Sequence, residues 1–450
     1  TNTRRRFLRF SGTVCVGTLA GCFGEKSVSS PQVSSTLQTS HTTTKEKTIS
    51  SEPTTTTETT QTQSKPELRT EYNSRKKFSS PGIQFDNFED LTQWQFKSGS
   101  VSRDRIHTFT GSQSLKLLGE SGQDATVVRS LSSPVDFANR DLSVAFRTEN
   151  PDTVALFIYL VDTNENWVVL ELRSITYRAP DIGWFRTCPG VFATSDTKPD
   201  LTSIDQVKIE VVNASDGDAV AWVDDMRVHP KPDTGYVILS WDDGNRNFYR
   251  HAASVHDRYD LPAVLTMPIS PEKVDEPFFM SVPELQKRQE AGDEVVAHGS
   301  TSSPFAEISA EQLDSLLNRN KQWMIEKGFE GADFVVYPGN NFDKTALEVI
   351  GKYHYMGGMN QSGNVNMTGV YGFDPLVLPR TIGHDLAISK RAVDLAAAHR
   401  QCTILNFHHF DSKNTMNLRE YQKLLAHINR KNKIEAITLS DLWKMRQSEV

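Results

Sequence analysis

The sequence predicts a multi-domain chain, a β-sandwich (jelly-roll-like) followed by an α/β, distorted (β/α) barrel, and three observations predict it. Its 450 residues exceed one ordinary domain. Between 81 and 232, short runs of alternating apolar residues are separated by Gly, Asp, Asn and Pro, the period and punctuation of antiparallel strands. From 233 to 450, strand-like and helix-like patterns alternate, which means βα units and a parallel sheet, most easily closed as a barrel over this length. Hydrophobic residues make up 37%, below the roughly 45–50% of globular chains, so part of the length forms no core. Forty-nine basic against 56 acidic residues give −7 with no concentrated Lys/Arg arm, which argues against a nucleic-acid partner. No run of about 18–20 apolar residues offers a transmembrane helix, while lipid anchoring remains open.

The first element, 1–22, reads as an address. Thr3-Arg4-Arg5-Arg6-Phe7-Leu8-Arg9 is followed by a short apolar stretch and closes on Leu19-Ala20-Gly21-Cys22: cationic, then apolar, then small residues at a cleavage point. The string resembles a twin-arginine signal joined to a lipobox. That resemblance implies export, lipidation of Cys22 as the first residue after cleavage, and anchoring to the outer face of the cytoplasmic membrane. Loss of residues 1–21 removes four arginines and leaves 45 basic against 56 acidic residues, or −11. Cys15 lies in the signal, and Cys188 and Cys402 fall in different predicted domains, so no disulfide framework is indicated. Residues 23–80 form a Ser/Thr-rich stalk, expected to be disordered because it holds too little apolar surface to offset the entropy of ordering.

Strands are predicted at 114–118, 126–131, 142–147, 154–160, 167–172, 206–212 and 219–228, an antiparallel sandwich. Phe85-Asp86-Asn87-Phe88-Glu89-Asp90 with Trp94, Thr110-Gly111-Ser112-Gln113-Ser114-Leu115, and Val223-Asp224-Asp225-Met226-Arg227-Val228 resemble jelly-roll modules appended to carbohydrate-active enzymes. The resemblance implies a carbohydrate-binding role. Trp94, Trp167, Tyr177 and Trp184 are then either a sugar-stacking platform or core and edge packing. Asp224 and Asp225 are either hard oxygen ligands for a calcium ion or a solvated acidic turn.

In the last region, strands are predicted at 237–241, 263–267, 294–298, 334–337, 402–407 and 436–439, and helices at 247–259, 282–291, 310–327, 344–352, 389–400 and 418–430. Ser240-Trp241-Asp242-Asp243-Gly244, Ala297-His298-Gly299-Ser300-Thr301-Ser302, Tyr337-Pro338-Gly339 and Phe407-His408-His409 each follow a predicted strand. Paired carboxylates at one strand end and imidazoles at others converge at a barrel mouth, where one carboxylate holds a metal while its neighbour works as a base.

This order of motifs resembles the NodB-homology polysaccharide deacetylases from Tyr236 to about Arg446. By position, the resemblance implies Asp242 as general base, Asp243 and His298 as metal ligands, and His408, or in another register His409, as the acid at the leaving group. It implies zinc or a similar divalent transition metal, and Tyr337, Pro338, Gly339 and Arg380 as substrate-binding positions. Two positions depart from the pattern. Ser302 stands where the family has its second metal histidine, and Val336 where it has an arginine that orients the base. His384 and Arg380 are the candidates to replace them, against the plainer reading of loop residues.

The expected activity is hydrolytic removal of acetyl groups from a surface polysaccharide, at nitrogen or at oxygen. A catalytically inactive glycan-binding lipoprotein and a metal-dependent amidase on a non-sugar substrate are the alternatives.

Overall fold

The computed structural model describes residues 65–70, 74–177, 181–268, 271–299, 303–410 and 415–448. Cys22, the signal, most of the Ser/Thr-rich segment and Ser302 lie outside the described residues.

After helix α1 (Ser74–Lys77), the first half of the fold is antiparallel. Its strands are β1 (Ile83–Asp86), β2 (Gln95–Ser98), β3 (Ser100–Asp104), β4 (Ser114–Gly119), β5 (Ala125–Val135), β6 (Arg140–Thr148), β7 (Val154–Asp162), β8 (Trp167–Leu172), β9 (Phe185–Thr187), β10 (Gly190–Thr194), β11 (Ile204–Asn213) and β12 (Ala219–Pro230). One sheet runs β3-β4-β12-β6-β9 with β1 beside β12, and the other β10-β8-β7-β11-β5-β2. Strict alternation makes the shared core: β7 buries Val154, Leu156, Ile158 and Leu160, β11 buries Val207, Ile209 and Val211, and both rows join Leu115, Leu117, Val144 and Phe146 of the opposite sheet in one apolar cluster. The seven strands read from the sequence are present. β1, β2, β3, β9 and β10 were not legible because each spans only three to five residues, too few to display a period.

Side chains here correct several expectations. Trp94 is buried, stacks on Phe88 at 5.3 Å and donates its indole N–H to Asp86 at 2.9 Å, so it is core and not a platform. Trp167 packs edge-on against Tyr159 and Trp184 tilts against Phe109, while Tyr177 is 43% exposed. Asp224 and Asp225 are fully buried, so they are not a solvated acidic turn, and N–H donors reach both. Asp224 accepts from the backbone of Phe109 and Thr110, and Asp225 from Arg186, Arg227 and Gln84. Asp224 is pushed up to about 6, chiefly by burial. Asn213 and Asn366 are buried, and both side-chain amides donate to backbone carbonyls.

The second half alternates strand and helix: β13 (Gly235–Trp241), α2 (Ala253–Tyr259), β14 (Val264–Thr266), α3 (Val282–Glu290), β15 (Glu294–Ala297), α4 (Ala310–Glu326), β16 (Gly331–Val336), α5 (Lys344–Ile350), β17 (Met356–Ser362), β18 (Leu378–Ile382), α6 (Leu386–His399), β19 (Cys402–Phe407), α7 (Leu418–Arg430), β20 (Ile434–Ala436) and α8 (Leu439–Ser448). β13 to β19 form a parallel sheet that closes through β13–β14 into a seven-stranded barrel, and β20 fills the lower part of that seam beside Gly235–Val237. Ile238, Val264, Val296, Val336, Leu378 and Ile404 form one cluster with Leu439, Leu442 and Trp443 of α8. The first-turn N–H groups of α8 bond Glu294, the first residue of β15, so α8 closes the end where the strands begin. The opposite end is left for chemistry.

The two halves are bonded to each other. Gly369 N–H donates to Cys188 O at 2.8 Å, Asp374 N–H to Arg186 O at 2.9 Å and Gln401 to Asp141 at 2.8 Å, all between the antiparallel sheets and the barrel. The end of the presumed stalk is bound as well: Phe78 is buried against Trp443, and buried Arg446 donates to its carbonyl at 3.1 Å. Separation would strand these buried donors and acceptors at about 1–3 kcal/mol each. A fragment of 233–450 should therefore be insoluble or lack a cooperative melt in near-UV dichroism, and a soluble fragment melting like the full chain would contradict this.

Candidate active site

The β13 strand ends by pairing one residue too far. Asp242 N–H donates to Phe407 O at 2.9 Å, which carries the carboxylate onto the rim above β13 and β19. The chain then turns sharply through two left-handed residues, Asp243 at φ 67° and Gly244 at φ 61°. A Cβ on Gly244 would lie 2.5 Å from the Pro268 nitrogen, so glycine is required there. The turn sets the two aspartates side by side with unlike surroundings.

Asp242 is 3% exposed, accepts a hydrogen bond at 3.1 Å from the fully buried guanidinium of Arg380 on β18, and lies 2.9 Å from a second guanidinium nitrogen as an ion pair. Ser240 Oγ lies 3.3 Å away, and His408 Nε2, at the end of β19, stands 3.8 Å from its other side. Burial alone would raise its pKa. Arg380 foremost, then His408 and His298, outweigh that and hold the carboxyl below the ordinary range. Arg380 therefore stands behind Asp242 instead of at a substrate, which corrects its substrate-binding assignment and puts a guanidinium where Val336 offers none.

Asp243 faces His298, which follows β15, with Oδ1 3.4 Å from Nε2. The other ring nitrogen, Nδ1, donates to Val336 O at 2.9 Å. Burial pushes Asp243 up, but the His298 hydrogen bond and charge bring it down to about 2, and Asp243, with the charge of Asp242, raises His298 against its own burial. A carboxylate and an imidazole on one tetrahedral ion, each about 2.0–2.1 Å from it, lie roughly 3.4 Å apart, so this pair fits two positions of a divalent centre, with Val336 O as the outer anchor of the imidazole. Among the described residues no group of three His, Cys, Asp or Glu completes it. His384 does not: its ring sits 6.1 Å from that of His408, and burial, then the neighbouring imidazoles, push it down to about 4.

Tyr337 also departs from expectation. Its ring is buried between Phe305 and Phe342 and its hydroxyl donates to Leu376 O at 2.9 Å, so it is packing below the rim. Pro338 is buried and Gly339, at φ 63°, is exposed beside the mouth. The residue missed in this loop is Asn340, whose Oδ1 accepts from Arg380 at 3.0 Å. Its carbonyl accepts from Tyr177 N–H at 3.3 Å, and the Thr176 hydroxyl lies 2.8 Å from Asn341 Oδ1, so the antiparallel half braces the loop that braces Arg380. A short polar loop residue more than 160 positions from Thr176 carries no signal in the sequence.

The chain was compared with known proteins. Residues 229–358 match the family model described as polysaccharide deacetylase. No curated protein matches the chain. Among solved structures, an exo-beta-agarase is 13% identical over 47% of this chain and 30% of its own, with a TM-score of 0.29. This chain thus spans under a third of that protein's length. A peptidoglycan deacetylase, PdaC from Bacillus subtilis, is 11% identical over 48% of this chain and 94% of its own, with a TM-score of 0.34. A family 11 carbohydrate-binding module from Clostridium thermocellum is 16% identical over 33% of this chain and 94% of its own, with a TM-score of 0.26.

Proposed function

We propose that the chain is a metal-dependent hydrolase that removes acetyl groups from a polysaccharide. The observation that carries this reading is Asp242, held ionised by the buried Arg380 and set beside the Asp243–His298 pair at the strand-end rim of the barrel. The family match over 229–358 supports the substrate class. Asp243 and His298 would hold the ion, with Ser302 or another group completing its shell. When bound, such an ion polarises an acetyl carbonyl and acidifies a water.

The chain's own residues do the rest. Asp242 Oδ2, not engaged by any hydrogen bond to His408, takes the proton of the attacking water. His408 Nε2, 27% exposed on its side chain, delivers a proton to the departing amine or alcohol. Arg380 keeps Asp242 unprotonated before the reaction and balances its charge.

The test is acetate release from acetylated polysaccharides. Release that stops on chelation and returns with zinc is expected, and no release from any acetylated glycan by metal-loaded protein would overturn the reading. We further propose export and anchoring through Cys22. The Cys22→Ser protein should leave the membrane fraction, and membrane retention equal to wild type would count against a lipid anchor, since stable attachment takes two acyl chains.

A further inference from the structure

We propose that the cleft beside this site binds an anionic sugar of the substrate chain, adjacent to the acetylated one, and that Arg250 reads its charge. The inference rests on the deacetylase reading and adds the substrate class to it.

The cleft has a volume of about 290 Å³ and is lined by Asn245, Arg246, Arg250, Pro277, Phe278 and His409. That is close to the roughly 300 Å³ at which small-ligand sites begin. Its walls are tied to the catalytic turns. Arg246 N–H donates to Phe278 O at 2.9 Å, Met280 N–H donates to Gly244 O at 2.9 Å, and Phe410 N–H donates to the Asn247 side chain at 3.3 Å. The cleft is thus joined by backbone bonds to the turn that carries Asp243 and to the segment after His408.

Two features give the cleft its chemistry. Phe278 is 59% exposed and offers a ring face for the apolar side of a sugar. Of the two arginines, Arg246 is neutralised by Glu284, with contacts of 2.9–3.1 Å. Arg250 makes no ion pair or hydrogen bond among the described residues, and it stands in a chain of net charge −7. An unpaired guanidinium fork matches a carboxylate or a sulfate bidentately, and a neutral sugar would leave it unused.

The test uses acetylated polygalacturonate, the same polymer with its carboxyls reduced to alcohols, and the reduced polymer after sulfation. Wild type should show a kcat/KM at least tenfold higher on one charged form than on the reduced form, and Arg250→Ala should bring that ratio to near one, with Arg250→Lys between. Which charged form wins identifies carboxylate or sulfate as the source. Oligosaccharides of all three are also titrated by calorimetry, so that binding is read without turnover. Charge-dependent binding with no acetate release would sink the deacetylase reading and leave this one standing. Equal rates and equal affinities for charged and neutral forms, or a charge preference untouched in Arg250→Ala, would overturn it.

Discussion

Asp242→Asn should lower acetate release by about 10²–10⁴, the usual contribution of a positioned general base. An amide cannot take the water's proton, and nothing else among the described residues replaces it, since Asp243 is committed to His298. The substitution also faces Arg380 with a neutral amide in place of the carboxylate that pairs its charge. The unfolding midpoint should fall, and the rate is therefore read on folded protein at low temperature. Zinc binding measured by calorimetry should survive, because Asp243 and His298 are untouched. Full activity in Asp242→Asn would remove Asp242 from the mechanism.

Arg380→Met should cost about 3–5 kcal/mol of stability, the price of leaving one partner of a buried ion pair uncompensated. The sign of its pH dependence follows from the present shift. In wild type the folded pKa of Asp242 lies below its unfolded value, so the pair contributes stability above the unfolded pKa and loses it as pH falls through the folded one. Without the guanidinium, burial prevails and the folded pKa rises. The penalty is then small where the carboxyl is protonated and grows as pH rises through the ordinary carboxylate range. Urea midpoints of the two proteins should be closest near pH 4 and furthest apart near pH 8. A constant difference would mean that Arg380 acts through packing alone.

The residues at strand ends were legible because chemistry and topology coincide in the sequence. An apolar run, a turn and then a carboxylate or imidazole marks Asp242, Asp243, His298 and His408, and the parallel barrel brings them to one rim. β17 and β18 were not legible. Met356-Gly357-Gly358-Met359-Asn360-Gln361-Ser362 has no alternation, and its bulge at Gly358, φ 110°, lets Leu376 O approach where a Cβ would lie 2.7 Å away. β18 contains Pro379, which argues against a central strand, so Arg380 looked like a loop residue although it is interior. Tyr337 misled in the other direction, because an aromatic just past a strand has the same signature whether it packs under the rim or faces a substrate. The bracing of Asn340 by Thr176 and Tyr177 and the wall built by Phe278 are tertiary facts, made by hydrogen bonds between segments that no local pattern links.

The central claim is that a guanidinium from β18 holds Asp242 ionised as the base, and the pH profile of kcat/KM on an acetylated substrate tests it most directly. Wild type should keep its activity down to below the ordinary carboxylate range on the acid side, and Arg380→Met should lose it at a pH higher by a unit or more. An acid limb at the same pH in both proteins would contradict the account.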